Sequence, residues 1–305
     1  MKKLFTTLSV AFITYAASAQ QDPQFSQYMY NRLFTNPGYA GSNDGICGNL
    51  IGRTQWTGFD GAPKTAVLGI DATIAKIHGG VGLVVMQDKI GFQSTLAARL
   101  AYAYRMNVGS GKLGIGIDIG ILNQTMNGNF VPIQPGDPTI PMGKASSLIP
   151  DMGAGVYYNT DKLYFGVSAS HLIGGKFKLD NLSTTSLSVA RHYYATAGYD
   201  YEINPTFSLR PSVFIKTDGA STQLDVNLNL LIKQMVWVGA SYRIDDAVVA
   251  MAGAQFGSLK FGYAYDFTTS KLNGYSNGTH ELFVGYCYKF NKPGVSSKYR
   301  NVRFL

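Results

Sequence analysis

The sequence predicts an all-β fold: a transmembrane, antiparallel up-and-down β-barrel of about fourteen strands, with a periplasmic N-terminal segment and a C-terminal tail. Three observations carry this. The first nineteen residues read as an export signal. From residue 45 onward, apolar and polar residues alternate with period two in segment after segment. The long connections between those segments all fall on one side. Composition agrees. Of 305 residues, 46% are apolar and only 14% are charged, against about 25% charged in an ordinary soluble domain. With 20 Tyr and 17 Phe, the chain is too aromatic to be disordered. No run of about 18 apolar residues occurs, which excludes membrane-spanning helices.

Residues 1–19 have the parts of a secretory leader: Lys2 and Lys3, an apolar stretch over 4–17, and Ala17-Ser18-Ala19 as a small-x-small cleavage site before Gln20. No cysteine sits at the cleavage site, where residue 20 is Gln, so no lipid anchor is expected. The net charge of +8 falls to +6 once Lys2 and Lys3 are removed. Much of the remainder sits in Lys292, Lys298, Arg300 and Arg303, with no acidic side chain after Glu281. An exported protein with a basic tail has no use for nucleic acid. Its partners are expected to be an acidic protein surface or lipid head groups.

Residues 20–44 precede the first strand-like segment and are treated below. The barrel spans 45–290 in fourteen segments: 45–56, 65–74, 80–88, 93–106, 112–124, 153–159, 163–171, 192–202, 207–216, 222–232, 236–243, 248–256, 259–266 and 279–290. In 223–230 every even position is apolar and every odd one polar. In 112–124, Leu113, Ile115, Ile117, Ile119 and Ile121 share one face, opposite Gly114, Gly116, Asp118 and Gly120. Most segments run about 8–12 residues, near the ~9–11 that a tilted strand needs to cross a bilayer. An even number suits a single-chain bacterial barrel with both termini on one side. If the first strand starts in the periplasm, the periplasmic connections are all short. The long ones, 57–64, 125–152, 172–191 and 267–278, all fall outside.

A soluble β-sandwich is the competing fold. Two features disfavour it. The apolar faces end in aromatic residues such as Trp56, Tyr102, Tyr104, Tyr263, Tyr286 and Tyr288, as an interfacial girdle does. The opposite faces carry glycines and charges, including Arg53, Arg99, Asp118, Arg210, Asp225, Arg243, Asp266 and Glu281. Charges suit a wet lumen and not a dry core.

The two cysteines, Cys47 and Cys287, fall in the first and last segments, which pair when a barrel closes. Alternation turns both inward, so the pair permits one disulfide near the periplasmic rim. The alternative is two unrelated buried thiols. The four histidines, His78, His171, His192 and His280, show no metal-ligand spacing, so no metal is expected. No catalytic constellation and no cofactor motif stands out. Glycines around 109–116 have no helix after them to hold a phosphate. The long connection 125–152, with Asp137-Pro138 inside it, reads as an outer loop that either constricts the lumen or meets a partner.

The start of the mature chain is the most specific element. It reads Gln21-Asp22-Pro23-Gln24-Phe25-Ser26-Gln27-Tyr28-Met29-Tyr30-Asn31, then Asn36-Pro37-Gly38-Tyr39-Ala40-Gly41-Ser42. By physics alone, 24–34 forms a short amphipathic helix before the Asn36-Pro37 break, as a periplasmic segment or a plug at the barrel mouth. The stretch closely resembles the opening of the PorP/SprF family of Bacteroidota outer-membrane proteins, Q-D-P-x-F-S-Q-Y-M-x-N…N-P-A-Y-A-G-S, with Gly38 in place of the usual Ala. The resemblance extends over the barrel length and the tail Lys298-Tyr299-Arg300-Asn301-Val302-Arg303-Phe304-Leu305. It implies a non-enzymatic component of the type IX secretion system in the cell outer membrane, with both termini periplasmic. It also implies as partners periplasmic and outer-membrane secretion subunits and the C-terminal domains of cargo such as gliding adhesins, besides outer-membrane lipid. A passive porin for small solutes is the alternative. Partner contact is expected from the motif residues Asp22, Pro23, Phe25, Ser26, Gln27, Tyr28, Asn31, Asn36, Pro37, Tyr39 and Gly41. It is also expected from the tail, residues 291–305, through Lys298, Tyr299, Arg300, Arg303 and Phe304, whose aromatics interleave with cations.

Overall fold

A computed structural model describes residues 22–129, 142–178 and 186–290. The wall is built from β1 (Gly45–Thr54), β2 (Lys64–Ile74), β3 (Gly79–Ile90), β4 (Gln93–Val108), β5 (Gly111–Asn129), β6 (Met142–Asn159) and β7 (Leu163–Ser170). A separate hairpin follows, β8 (Gly175–Lys178) with β9 (Ser186–Val189). The wall resumes with β10 (His192–Tyr199) and β11 (Tyr201–Asn204), one strand interrupted at Asp200. It ends with β12 (Phe207–Thr217), β13 (Thr222–Ile232), β14 (Val236–Arg243), β15 (Ala247–Phe256), β16 (Leu259–Thr268) and β17 (Thr279–Lys289). Each wall strand pairs antiparallel with the wall strands beside it. The pairings of β7 with β10, β10 with β12, and β1 with β17 close the ring at fourteen wall strands.

Period-two alternation sorts the side chains as the sequence requires. Leu50, Leu100, Ile117, Ile119, Val167, Leu228 and Leu282 are exposed on the outer surface. Their neighbours Arg53, Arg99, Asp118, Asp225 and Glu281 are buried inside. A closed ladder leaves no backbone group unpaired in lipid, and the apolar exterior is what a bilayer solvates. Tyr102, Tyr104, Tyr263, Tyr286 and Tyr288 are exposed as expected. Trp56 lies beyond the end of β1, in the turn that follows it.

The connection 125–152 is not a loop throughout. β5 and β6 continue as a paired ladder to Asn129 opposite Met142. Ala145, Ser147, Ile149 and Asp151 turn inward, while Leu148 and Met152 face out. Pro150 stands opposite Ile121 in this ladder, although proline cannot donate a backbone hydrogen bond. Asp137-Pro138 lies outside the described residues, as do 1–19 and 291–305.

Gly45 pairs with Lys289, so the wall begins and ends at the end of the barrel that carries the short turns. Residues 22–44 lie within the lumen and traverse it. Asp44 meets Lys112 beside the short β4–β5 turn. Asp22 meets His171, which precedes the long β7–β10 connection. The segment is therefore a plug and not a periplasmic extension. Residue 22 stands at the opposite end of the barrel from Phe290.

Candidate functional site

The lumen segment contains one short helix, α1 (Arg32–Thr35), between 3-10 turns at Tyr28–Tyr30 and Pro37–Tyr39. The second turn starts on Pro37 and is capped by Asn36, whose Oδ1 accepts from the Gly38 amide at 2.9 Å. The Asn36 side-chain amide donates to the carbonyls of Val156 and Val167 on the wall. The longer amphipathic helix expected over 24–34 does not form. The segment instead takes its backbone partners from the wall: the amides of Ser26 and Gln27 donate to the two carboxylate oxygens of Glu281 at 2.8 and 2.7 Å.

Its side chains are held in three zones. At the long-connection end, Asp22 Oδ1 lies 2.9 Å from His171 Nε2, and His171 Nδ1 lies 2.9 Å from Asp151. Tyr194 donates its hydroxyl to the other oxygen of Asp22. The Asp22 amide donates to His192 Nε2 at 3.1 Å. Burial opposes a charge on His171, but the carboxylates on its two ring nitrogens hold its pKa up at about 10. Asp22 is buried too, yet His171 keeps it well below the usual carboxylate range.

The second zone centres on Ser26. Its hydroxyl donates to Asp266 and accepts from Arg53 and Arg243. Around it, Arg53 pairs with Asp266 at 2.8 Å and Glu281 at 2.9 Å, and Arg243 pairs with Asp225 and Asp266 at 3.0 Å. Gln24 donates to Asp225. The charges read from sequence as facing a wet lumen are thus paired with one another and with the plug. Removing one partner of such a buried set costs about 3–5 kcal/mol, because the others are left uncompensated. Arg243→Met is therefore expected to lower sharply the temperature at which the folded, heat-modifiable band is lost. An unchanged transition would show that the network carries no net stability.

The third zone is aromatic. Phe25 packs edge-on against Phe34 at 5.2 Å, Tyr28 stacks on Phe214 at 4.9 Å, and Tyr30 stacks on Phe283 at 4.8 Å. The Arg32 guanidinium lies 3.8 Å from the centre of the Tyr164 ring. Tyr39 meets Tyr157 edge-on. The lumen-facing glycines gain a purpose here. A Cβ on Gly116 would lie 2.4 Å from the Pro37 carbonyl carbon, so the plug backbone rests directly on the wall. Gly41 has a φ of +67°, and its amide donates to Asp71 at 3.0 Å.

Of the motif residues, Phe25, Ser26, Gln27, Tyr28, Asn31, Asn36, Pro37 and Gly41 are buried. Of these, Ser26, Gln27, Tyr28, Asn36 and Gly41 hydrogen-bond to the barrel's own wall. Asp22 and Pro23 at one end and Tyr39 at the other are only half-buried. Cys47 stands opposite Cys287 in the β1–β17 ladder, with Cα atoms 4.1 Å apart and the sulfurs joined in a disulfide. The tail residues Lys298, Tyr299, Arg300, Arg303 and Phe304 lie outside the described residues. Sequence reading missed the grouping of Asp22, His171, His192 and Asp151, because their spacing of up to 170 residues leaves no local signal.

A closed fourteen-stranded barrel with an apolar exterior and a polar, ion-paired interior is an outer-membrane β-barrel protein. The chain belongs to the family described as type IX secretion system membrane protein PorP/SprF, whose model matches residues 17–286. It is accordingly an outer-membrane barrel of the type IX secretion system, and that family points to a non-enzymatic role and to contacts with other secretion components. No curated protein matches it. Among solved structures it is similar to the KdgM porin in complex with disordered oligogalacturonate (11% identity, TM-score 0.38, 80% of this chain and 99% of that one). Omp33 of Acinetobacter baumannii (9%, 0.42, 81% and 100%) and a Pseudomonas aeruginosa FadL homologue (14%, 0.48, 86% and 94%) are further matches.

Proposed function

We propose that this barrel works by contact and not by passage: it holds secretion subunits at one end and helps to display cargo, such as gliding adhesins, through their C-terminal domains. The observation that carries this reading is the occupied lumen. A plug fixed by Glu281, Asp266, Asp225 and Asp71 is a poor path for solutes. In this reading the short-turn end faces the periplasm, as in other single-chain barrels. There β17 ends, the basic tail departs, and a recess lined by Tyr30, Tyr39, Tyr157, Tyr164 and Arg210 opens beneath the plug. Asp22 then faces outward. Motif residues reach partners only through the two ends of the plug, while the tail supplies the cationic and aromatic contact.

Truncation after Phe290 tests this. The truncated protein is expected to remain a folded, heat-modifiable barrel in the outer membrane. It should lose co-purification with periplasmic secretion subunits and lose cargo display. If it keeps both, the tail is only a solvated end and the assignment fails.

A further inference from the structure

At the long-connection mouth, Asp22, His171 and His192 place one ligand atom each within 4.8 Å of one another. They come from three elements: the plug, the residue after β7, and the start of β10. The surroundings orient them as metal ligands are oriented. His171 Nδ1 faces the Asp151 carboxylate at 2.9 Å, and His192 Nδ1 faces the Ala190 carbonyl at 3.1 Å. An acceptor at each Nδ1 keeps the proton there and turns Nε2 toward the common centre. All three side chains border one cavity, which Asp88, Gln93, Thr95 and Gln124 also line. Two further observations point to a missing partner. Gln124 Oε1, in that cavity, and Asp151 Oδ2 are buried without a hydrogen bond. Buried acceptors of this kind are ordinarily satisfied, so each asks for an explanation.

We infer that Asp22, His171 and His192 form a binding site for a divalent transition metal of the zinc class, with a fourth position open to the cavity. Two imidazoles and one carboxylate are a borderline donor set that suits zinc and its neighbours better than calcium or magnesium. Tetrahedral bonds of about 2.0–2.1 Å set ligand atoms roughly 3.4 Å apart, so the site closes by side-chain movements on the ångström scale. On binding, the metal replaces the Nε2 proton of His171, which leaves to solvent. It also takes the His192 lone pair that now accepts from the Asp22 amide. Lys216, whose ammonium donates to the Asp22 carbonyl at 2.8 Å, opposes the added charge without touching a ligand atom. The bound ion would fasten the start of the lumen segment to β7 and β10, on the far side of the ring from the β1–β17 seam.

The test uses the full-length barrel, purified in detergent without a polyhistidine tag and stripped with a chelator. Titration with Zn²⁺ against a competing indicator is expected to show one saturable site per chain. Co²⁺ should give the intense visible bands of a four-coordinate ion. His192→Ala and Asp22→Asn should abolish both signals, and Asp151→Asn should weaken binding about 10–100-fold. His280→Ala, at the same end but outside the group, should bind like the unaltered protein. If the folded wild-type barrel leaves Co²⁺ with its aqueous spectrum, the site does not exist. Equal Zn²⁺ affinity in folded His192→Ala would equally overturn it. The wild-type spectrum decides the matter even if a variant fails to fold.

Discussion

A chain lacking residues 23–42 is expected to conduct. In the intact protein the plug occupies the lumen and takes up the inward charges through Ser26, Gln27 and Gln24. Without it, Arg53, Arg243, Asp266 and Glu281 remain paired with one another, and water replaces the plug around them. The wall itself is a closed ladder that needs no plug to satisfy its backbone. Planar-bilayer recordings should show steady open channels for the deletion and none for the full-length protein. Cells carrying the deletion should become sensitive to a large glycopeptide antibiotic. A deletion that folds, as judged by heat-modifiable migration, and stays silent would show that something other than the plug closes the barrel. Steady conductance from the intact chain would return the passive-porin reading to first place.

The second large effect is expected at the seam. Cys47 and Cys287 are 240 residues apart and join the first strand to the last. A cross-link of that span removes enough freedom from the unfolded chain to stabilise the fold by about 5 kcal/mol, as an upper limit of the chain-entropy treatment. The denatured, oxidised protein should run as a more compact species than the reduced one. Cys287→Ser should lower the unfolding temperature of the barrel markedly. Two free thiols in freshly purified protein would end this expectation and leave the barrel untouched, since the β1–β17 ladder does not depend on the sulfurs.

The wall was legible because period-two alternation is local: each residue of β13 can be assigned to lipid or lumen from its two neighbours. The β1–β17 seam followed from counting strands and keeping the alternation in step through Cys47 and Cys287. The upper part of β6 was not legible, because Pro150 and a run of small polar residues carry the marks of a loop. There, pairing with β5 overrides propensity. The plug was legible as a distinct segment and not in its path. Whether Ser26 meets Glu281, 255 positions away, depends on the chain between them closing into a ring, and nothing near Ser26 records that. For the same reason the glycines at 114 and 116 read only as lumen-facing. That they make room for Pro37 and Gly38 is a property of the assembled barrel.

The threaded segment and the seam bond together give the molecule an unusual connectivity. With Cys47 bonded to Cys287, the wall is one covalent loop, and residues 22–44 leave that loop at its base and run through it. The oxidised protein is therefore a lasso whose own leading end pierces the noose. Such a segment cannot escape sideways through the seam; it leaves only by backing out along the barrel axis. Two routes of assembly follow. The segment either lies between the strands when β17 zips onto β1 or threads in afterwards along the barrel axis, because the closed ring has no side opening to admit it. A chain oxidised before the segment is seated would close empty, and the segment could then enter only end-on, along the axis.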